Sequence, residues 1–404
     1  MRSTAPTFRS GRSTRPLGRR AAAPVALVAL AAMALSACSS SSTSAGADPV
    51  GSSGSASASG GTATAAANVA ELTKELSSYP VPTATLSGVS KLKGKTVYYI
   101  PITQQAAQFT VTGNALKQAL ASVGVNLQIC NGGSNPSTIA ACINQAVGAS
   151  AGAIVTDSIP YALAGNALDA ARAKKIPVLV TDQIVDSSRP ADSTLGYIEG
   201  AGSAQLVAIA DWIIADSNGK AKVVLNESTD SPSTIAYVTK AQDEFKQLCP
   251  DCSVTVNKIS SANFSLIASS TSSTILRTPG VQYVVSEFDQ YLQVTQGGVQ
   301  QSGKAASVKG VSSAAETAGL RMLKSKNFLD VDAGQASAYQ GWATADAALR
   351  LMLGQTLPDY TIPMRLFTRD NVGSISLDSA AEASGAWFGP TDFTSKFKTL
   401  WGAE

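Results

Sequence analysis

Few residues in this chain of 404 have the type and spacing for covalent chemistry. Cys249-Pro250-Asp251-Cys252 has dithiol redox spacing. A redox pair, however, sits where a strand feeds a helix N-terminus that lowers the thiol pKa. This pair follows a helical stretch and precedes a β-branched one, so a structural disulfide stiffening a turn is expected. Gly298, Gly303 and Lys304 have phosphate-loop spacing, but Ala305 stands where a Mg²⁺-binding hydroxyl is required. Those glycines also close a helical stretch instead of opening one, so amide dipoles would point away from a phosphate. Gly303 is read as a helix C-cap. No G-x-G-x-x-G fingerprint occurs, and the chain has no histidine. That absence removes Ser-His-Asp and Cys-His catalysis, H-E-x-x-H zinc sites and proximal-His haem together. No cofactor and no metal ion is expected.

More informative are polar residues just beyond the C-terminal ends of short apolar runs. Asp157, Asp182, Glu227 and Asp289 fall there, with Gln105 and Phe109 after the first run. In open parallel sheets, ligands bind outside the carboxyl ends of the strands. Each carboxylate could instead be a turn or N-cap residue, Asp157 most of all, because a helix is expected from Tyr161. Recurrence at one edge favours a shared polar cleft. Carboxylates, amides and one aromatic face suit a neutral polyhydroxylated ligand, since the acceptors take hydroxyls and the ring covers the apolar sugar face.

The elements that must position these residues alternate. Strands are expected at 96–102, 125–129, 153–156, 177–181, 221–225, 253–258, 281–286 and 307–311. Helices are expected at 106–123, 137–147, 161–173, 201–215, 233–248, 264–276, 292–301, 314–323 and 338–353. Such alternation predicts parallel sheets with helices on both faces. About 310 residues of it exceed one sheet. A break is expected at 197–202, where Gly196, Gly200 and Gly202 interrupt the rhythm. The fold class is therefore α/β, as two three-layer αβα lobes.

The N-terminal segment reads as an address. Arg2, Arg9, Arg12, Arg15, Arg19 and Arg20 precede the apolar run Ala21 to Leu35, too short to span ~30 Å of hydrocarbon and suited to a signal peptide. Removing those six charges from the formal +3 leaves −3, which offers no footprint for nucleic acid. Leu35-Ser36-Ala37-Cys38 resembles a bacterial lipobox, whose cysteine carries diacylglycerol. Arg19-Arg20 leaves the export route open between the general and twin-arginine pathways. Residues Ser39 to Ala67 are almost all Ser, Ala, Gly and Thr, and read as a flexible tether, with a short helix at 69–76. With Cys38 set aside, four cysteines allow three pairings. Cys130 ends a strand and Cys142 lies on the next helix, so Cys130–Cys142 and Cys249–Cys252 are expected.

Taken in order, these elements resemble the bacterial type I periplasmic solute-binding proteins of the ribose and galactose group, over about residues 95–369. The stretch Val97-Tyr98-Tyr99-Ile100-Pro101-Ile102 with Gln105 and Phe109 is similar to the family's first strand and sugar-stacking loop. Ile176 to Asp182 is similar to its fourth strand, whose terminal Asp contacts sugar hydroxyls. Val284 to Asp289, including Phe288, resembles the second-lobe contact segment, and Gln335 stands at a hinge-side Gln. Three departures accompany these matches: Gln183 where an Arg is common, no Arg in 233–248, and Ser312 at a commonly acidic position. They weaken a ribose-like pentose as ligand.

The resemblance implies a hinge-linked pair of lobes with crossovers near 197–200, 334–336 and 367–370. The implied division is signal peptide 1–37, lipidated cysteine and linker 38–94, first lobe 95–198 and second lobe 199–335. Residues 336–366 would return to the first lobe, and 367–404 would end the second lobe and form a surface tail. It also implies a monomer, anchored by lipid alone to the outer face of the cytoplasmic membrane. That protein would pass a small solute, a carbohydrate, to an ABC permease without catalysis. A solute sensor signalling to a membrane kinase is one alternative. An exported glycosidase using Asp182 and Asp289, at the ~5–9 Å such pairs need, is another.

Overall fold

The computed structural model describes residues 53–403, with side chains from residue 60 onward. The apolar run at 21–35 and Cys38 lie outside the described residues. Among the described residues no helix is long and apolar enough to cross a membrane.

The first element departs from the tether expected through Ala67. Helix α1 (Ser53–Leu72) forms instead. Alanine is the strongest helix former, and small side chains let this helix lie close to residues 202–248. Ala65 is fully buried, and a Cβ on Gly61 would come within 2.0 Å of the Leu248 carbonyl oxygen. Asn68 Nδ2 donates to Asp211 Oδ2 at 3.0 Å. A Ser/Ala/Gly bias suggests disorder because composition does not show the surface that receives the helix.

The first sheet comprises β1 (Thr96–Pro101), β2 (Asn126–Ile129), β3 (Ala153–Asp157), β4 (Val178–Thr181) and β5 (Leu195–Ile198). Helices α2 (Ala107–Ala121), α3 (Pro136–Gly148) and α4 (Gly165–Ala173) connect its strands. All strands are parallel, in the order β2-β1-β3-β4-β5. Period-two alternation sorts β1 between two cores: Val97 and Tyr99 join one apolar cluster, Tyr98 and Ile100 the other. Asn135 starts α3 by accepting from Ser137 N and Thr138 N, with Pro136 in the first turn.

The chain then enters α5 (Gly202–Asp216), β6 (Lys222–Ser228), α6 (Pro232–Leu248), β7 (Ser253–Ile259) and α7 (Ile267–Leu276). β8 (Tyr283–Ser286), α8 (Leu292–Gln301), β9 (Lys309–Ala314), α9 (Thr317–Lys324) and β10 (Leu329–Gln335) follow. Ser231 and Pro232 start α6 as Asn135 and Pro136 start α3. After α10 (Ser337–Met352) comes β11 (Met364–Thr368), completing a six-stranded sheet in the order β11-β10-β9-β8-β6-β7. Apolar clusters cover both faces of each sheet, so both lobes are αβα layers.

The second half of the chain corrects several expectations. β5, β10 and β11 were not anticipated; β10 interleaves Asp330 and Asp332 with its apolar residues, and β11 is a short antiparallel edge strand. α10 packs on α2 in the first lobe, as Ala115 and Leu116 cluster with Ala338 and Trp342. The chain is nevertheless back in the second sheet by Met364, so this crossing lies at 353–363 and not at 367–370. The C-terminal segment, α11 (Ser379–Ser384) and α12 (Phe393–Trp401), returns to the first lobe and is not a surface tail. Phe393, Phe397 and Trp401 are buried against Tyr79, Tyr339 and Trp342. Stacked aromatic rings of that size remove too much apolar surface from water to stay peripheral.

Both disulfides join sequence neighbours, Cys130 to Cys142 with Cα atoms 5.8 Å apart and Cys249 to Cys252 at 5.3 Å. Gly303, at φ 70°, follows α8 in the left-handed conformation of a helix terminus. Gly298 lets α8 approach α7, since a Cβ there would lie 2.6 Å from the Ala268 carbonyl oxygen.

Candidate functional site

The C-terminal edges of the two sheets face each other across a cavity of about 310 Å³. The first lobe lines it with Ile102, Thr103, Ala106, Phe109, Pro136, Pro160, Leu163, Asp182 and Gln183. The second lobe lines it with Ser228, Asp230, Ser231, Thr234, Tyr237, Phe288, Tyr291 and Glu316, and Gln335 stands at the crossing.

Asp182 follows β4 with a left-handed backbone, φ 54°, which a short polar side chain tolerates. Its carboxylate accepts from Gln340 Nε2 at 2.8 Å and from Gln335 Nε2 at 3.3 Å. Gln335 Oε1 in turn accepts from Ala201 N at 2.9 Å, so one glutamine ties β10, the start of α5 and the end of β4. Glycine is required at 200, where a Cβ would lie 1.8 Å from Asp182 Oδ1. Below Asp182 lies Asp157, fully buried and accepting from Tyr99 Oη at 2.5 Å. Burial and the adjacent Asp182 push its pKa well above the carboxylate range, so Asp157 holds a proton beneath the site.

Gln183 lines the cavity and couples the lobes. Ser233 Oγ on α6 donates to Gln183 Oε1 at 2.8 Å and accepts from Ile184 N at 3.1 Å. Tyr237 Oη donates to the Asp182 carbonyl oxygen at 3.3 Å.

On the second lobe, Asp230 accepts from Ser260 Oγ at 2.6 Å, Ser261 N at 2.9 Å and Tyr291 Oη at 3.1 Å. Burial raises its pKa, but the bonds from Ser260 and Ser261 outweigh that and hold it below the ordinary value. Glu316 follows β9 on a loop in which Ala314 and Ala315 both have positive φ, 99° and 49°. Two acids beneath hold that loop. Asp289 accepts from Ser312 Oγ at 2.6 Å and Glu316 N at 2.8 Å, and Asp332 accepts from Ala315 N at 3.0 Å. Burial, then the Asp289 charge, pushes Asp332 well above the carboxylate range, so it keeps the proton that the pair shares. Burial, then Asp289, also pushes Glu316 up to about 7, opposed by the Gln108 and Ala107 amides at the start of α2.

Of the residues singled out from the sequence, Phe109, Asp182, Gln183, Phe288 and Gln335 line one cavity. The other five do not. Gln105 is exposed. Asp157 and Ser312 are buried beneath the cavity, half-buried Asp289 accepts from Ser312 and Glu316 N behind its lining, and Glu227 is buried within β6, pushed upward by burial and relieved in part by Lys258. Asp289 therefore does not face Asp182 across the cleft, and this pair does not form a two-carboxylate glycosidase centre. Asp230 and Glu316 were missed because β6 and β9 run three residues further than their apolar runs, to Ser228 and Ala314. Counting from the true strand ends selects both. The pentad Gly148-Ala149-Ser150-Ala151-Gly152, which spells G-x-S-x-G, joins α3 to β3 at the opposite sheet edge, whereas a nucleophile elbow joins a strand to a helix. Among the described residues no group of three or more His, Cys, Asp or Glu is arranged to hold a metal ion.

Residues 97–356 match the family model described as "Periplasmic binding protein domain". No curated protein sequence matches the chain. Among solved structures, the chain is similar to a 5-methylthioribose transporter solute-binding protein from Thermotoga lettingae in complex with 5-methylthioribose. Identity there is 18% over 76% of this chain and 98% of that one, with TM-score 0.64. An ABC transporter solute-binding protein from Agrobacterium vitis, bound with α-D-tagatopyranose, gives 20%, 73%, 99% and 0.62. One from Bacillus halodurans with bound myo-inositol gives 15%, 70%, 97% and 0.60.

Proposed function

The chain belongs to the periplasmic binding protein family, and from that premise we propose that it captures a small polar solute, a sugar or sugar derivative, and delivers it unchanged to an ABC permease. The observation that carries this reading is the interlobe cavity of about 310 Å³, lined by aromatic rings from both lobes and by carboxylates and amides at both sheet edges. Its volume suits a single sugar ring. Phe109 and Phe288 cover apolar ring faces, while Asp182, Gln183, Asp230 and Gln335 address hydroxyls. The similar structures named above hold a thiopentose, a ketohexose and a cyclitol, all compact polyhydroxylated molecules. Binding energy is spent on holding the lobes together around the solute, and the permease reads that closed form. Export and lipidation at Cys38 keep the monomeric protein at the outer face of the cytoplasmic membrane.

Native mass spectrometry of protein purified without refolding, paired with X-ray scattering and melting curves on a panel of sugars and polyols, tests this. An intact retained solute of sugar mass, with compaction on its addition, is the expected result. Turnover of the solute, or unchanged dimensions and melting temperature with every member, overturns it.

A further inference from the structure

The ionisable groups lining the cavity are three carboxylic acids, Asp182, Asp230 and Glu316, together with tyrosines; no Lys or Arg lines it, and the chain has no histidine. Among the described residues none of these acids forms an ion pair. Behind this wall lie two further acids, Glu287, which accepts from Ser228 N, and Glu227, whose charge Lys258 partly offsets; each has one buried oxygen lacking a hydrogen-bond partner. Resting on the solute-capture reading above, we propose that the solute of this cleft is cationic, an amine-bearing sugar or polyol whose ammonium group sits against the second-lobe acids Asp230 and Glu316.

Charge arithmetic carries this. An acidic cleft without a resident cation disfavours an anionic solute such as a uronate or sugar phosphate, since like charges in a partly desolvated site cost affinity. A neutral solute closing over these carboxylates desolvates them and returns only hydroxyl bonds. An ammonium group returns charge-assisted bonds and compensates the net negative charge. Burial, then the Asp289 charge, raises Glu316 to about 7, and no Lys or Arg lines the cavity to offset it. Phe109, Tyr237 and Tyr291 also line the cavity, and aromatic rings attract cations. Glu316 also meets the start of α2, where Gln108 N donates to its Oε1 at 3.5 Å. A capping role there needs only an acceptor, whereas cation recognition needs the charge.

The test uses the purified full chain and matched trios: a hexosamine, an aminocyclitol and an amino-pentitol, each beside its deamino and N-acetyl counterparts. Expected is that at least one amine raises the melting temperature and binds at least tenfold tighter than both counterparts. Glu316→Gln and Asp230→Asn keep an acceptor, and each should weaken that amine at least tenfold and cut its preference over the neutral counterpart. A neutral counterpart that binds as tightly as its amine, or amine affinity unchanged in both variants, overturns the cationic assignment and leaves solute capture standing. Failure of every trio in all three forms overturns both.

Discussion

Apart from Thr103, Asp182 and Gln183, the first lobe meets the cleft mainly with Ile102, Ala106, Phe109, Pro136, Pro160 and Leu163, whereas the second sets Ser228, Asp230, Ser231, Thr234, Ser261 and Glu316 beside its rings Tyr237, Phe288 and Tyr291. The difference begins in the strands. β1 stays apolar through Ile100 and Pro101, and its edge is shaped by packing. β6 and β9 run out through Asn226-Glu227-Ser228 and Ser312-Ser313, which are buried and held by polar side chains. Asn226 Nδ2 donates to Thr295 Oγ1 at 3.0 Å, Asn257 Nδ2 donates to Asn226 Oδ1 at 2.7 Å, and Ser313 Oγ donates to the Glu287 carbonyl at 2.5 Å. One wall therefore offers mainly dispersion and stacking around a single carboxylate, Asp182. The other adds two carboxylates to its rings, held in place by a hydrogen-bonded layer that loses much if one member is removed.

The largest effect should come from that layer. Asp289→Ala removes the acceptor of Ser312 Oγ, Glu316 N and the Asp332 carboxyl together, and should cost about 3 kcal/mol in urea unfolding. Asp332→Asn keeps a donor toward Asp289 and an acceptor for Ala315 N, and should stay within about 1 kcal/mol. Equal losses in the two variants would erase the assignment of the shared proton to Asp332. On the apolar wall, Phe109→Ala removes a stacking face. Titration of the retained solute should show a loss of about 1.5–3 kcal/mol, or roughly ten- to hundredfold in affinity.

A pH series sharpens the comparison from the charged side. Glu316 has a folded-state pKa raised from 4.5 to about 7, by burial first and then by Asp289 and Glu382, with the Gln108 and Ala107 amides lowering it. The folded state thus holds this proton more tightly than the unfolded chain. Its contribution to stability is full below the unfolded value and is lost as pH rises toward about 7. Urea midpoints should fall between pH of about 5 and 8, and Glu316→Gln should flatten the decline; an unchanged slope would exclude Glu316 as its source. The smallest effect is expected at Gln105, which is exposed and outside the cavity. Gln105→Ala should leave affinity unchanged and stability within about 0.5 kcal/mol.

Where apolar periodicity continued to the end of an element, the sequence was a good guide. Tyr98 and Ile100 against Val97 and Tyr99 mark β1, and the Asn135-Pro136 and Ser231-Pro232 starts mark two helices. Phe109, Asp182 and Gln335 were legible because their strand or hinge positions were. Periodicity failed where strands carry buried polar residues, as in β10 and the ends of β6 and β9. There the backbone ladder and side-chain hydrogen bonds, not hydrophobic burial, keep the strand extended, and a slip of three residues replaced Asp230 by Glu227.

The amino-acid sequence by itself determined the αβ alternation, the neighbour pairing of four cysteines and the absence of imidazole chemistry, because each is a matter of local pattern or composition. The tertiary structure alone decided that the Ala-rich α1 docks on the second lobe and that Phe393, Phe397 and Trp401 belong to the first. It also decided which acids face the cleft and which share protons beneath it. Those outcomes depend on surfaces distant in the chain: a helix former stays helical only where a groove receives it, and a carboxylate binds or braces according to the neighbours that folding brings to it.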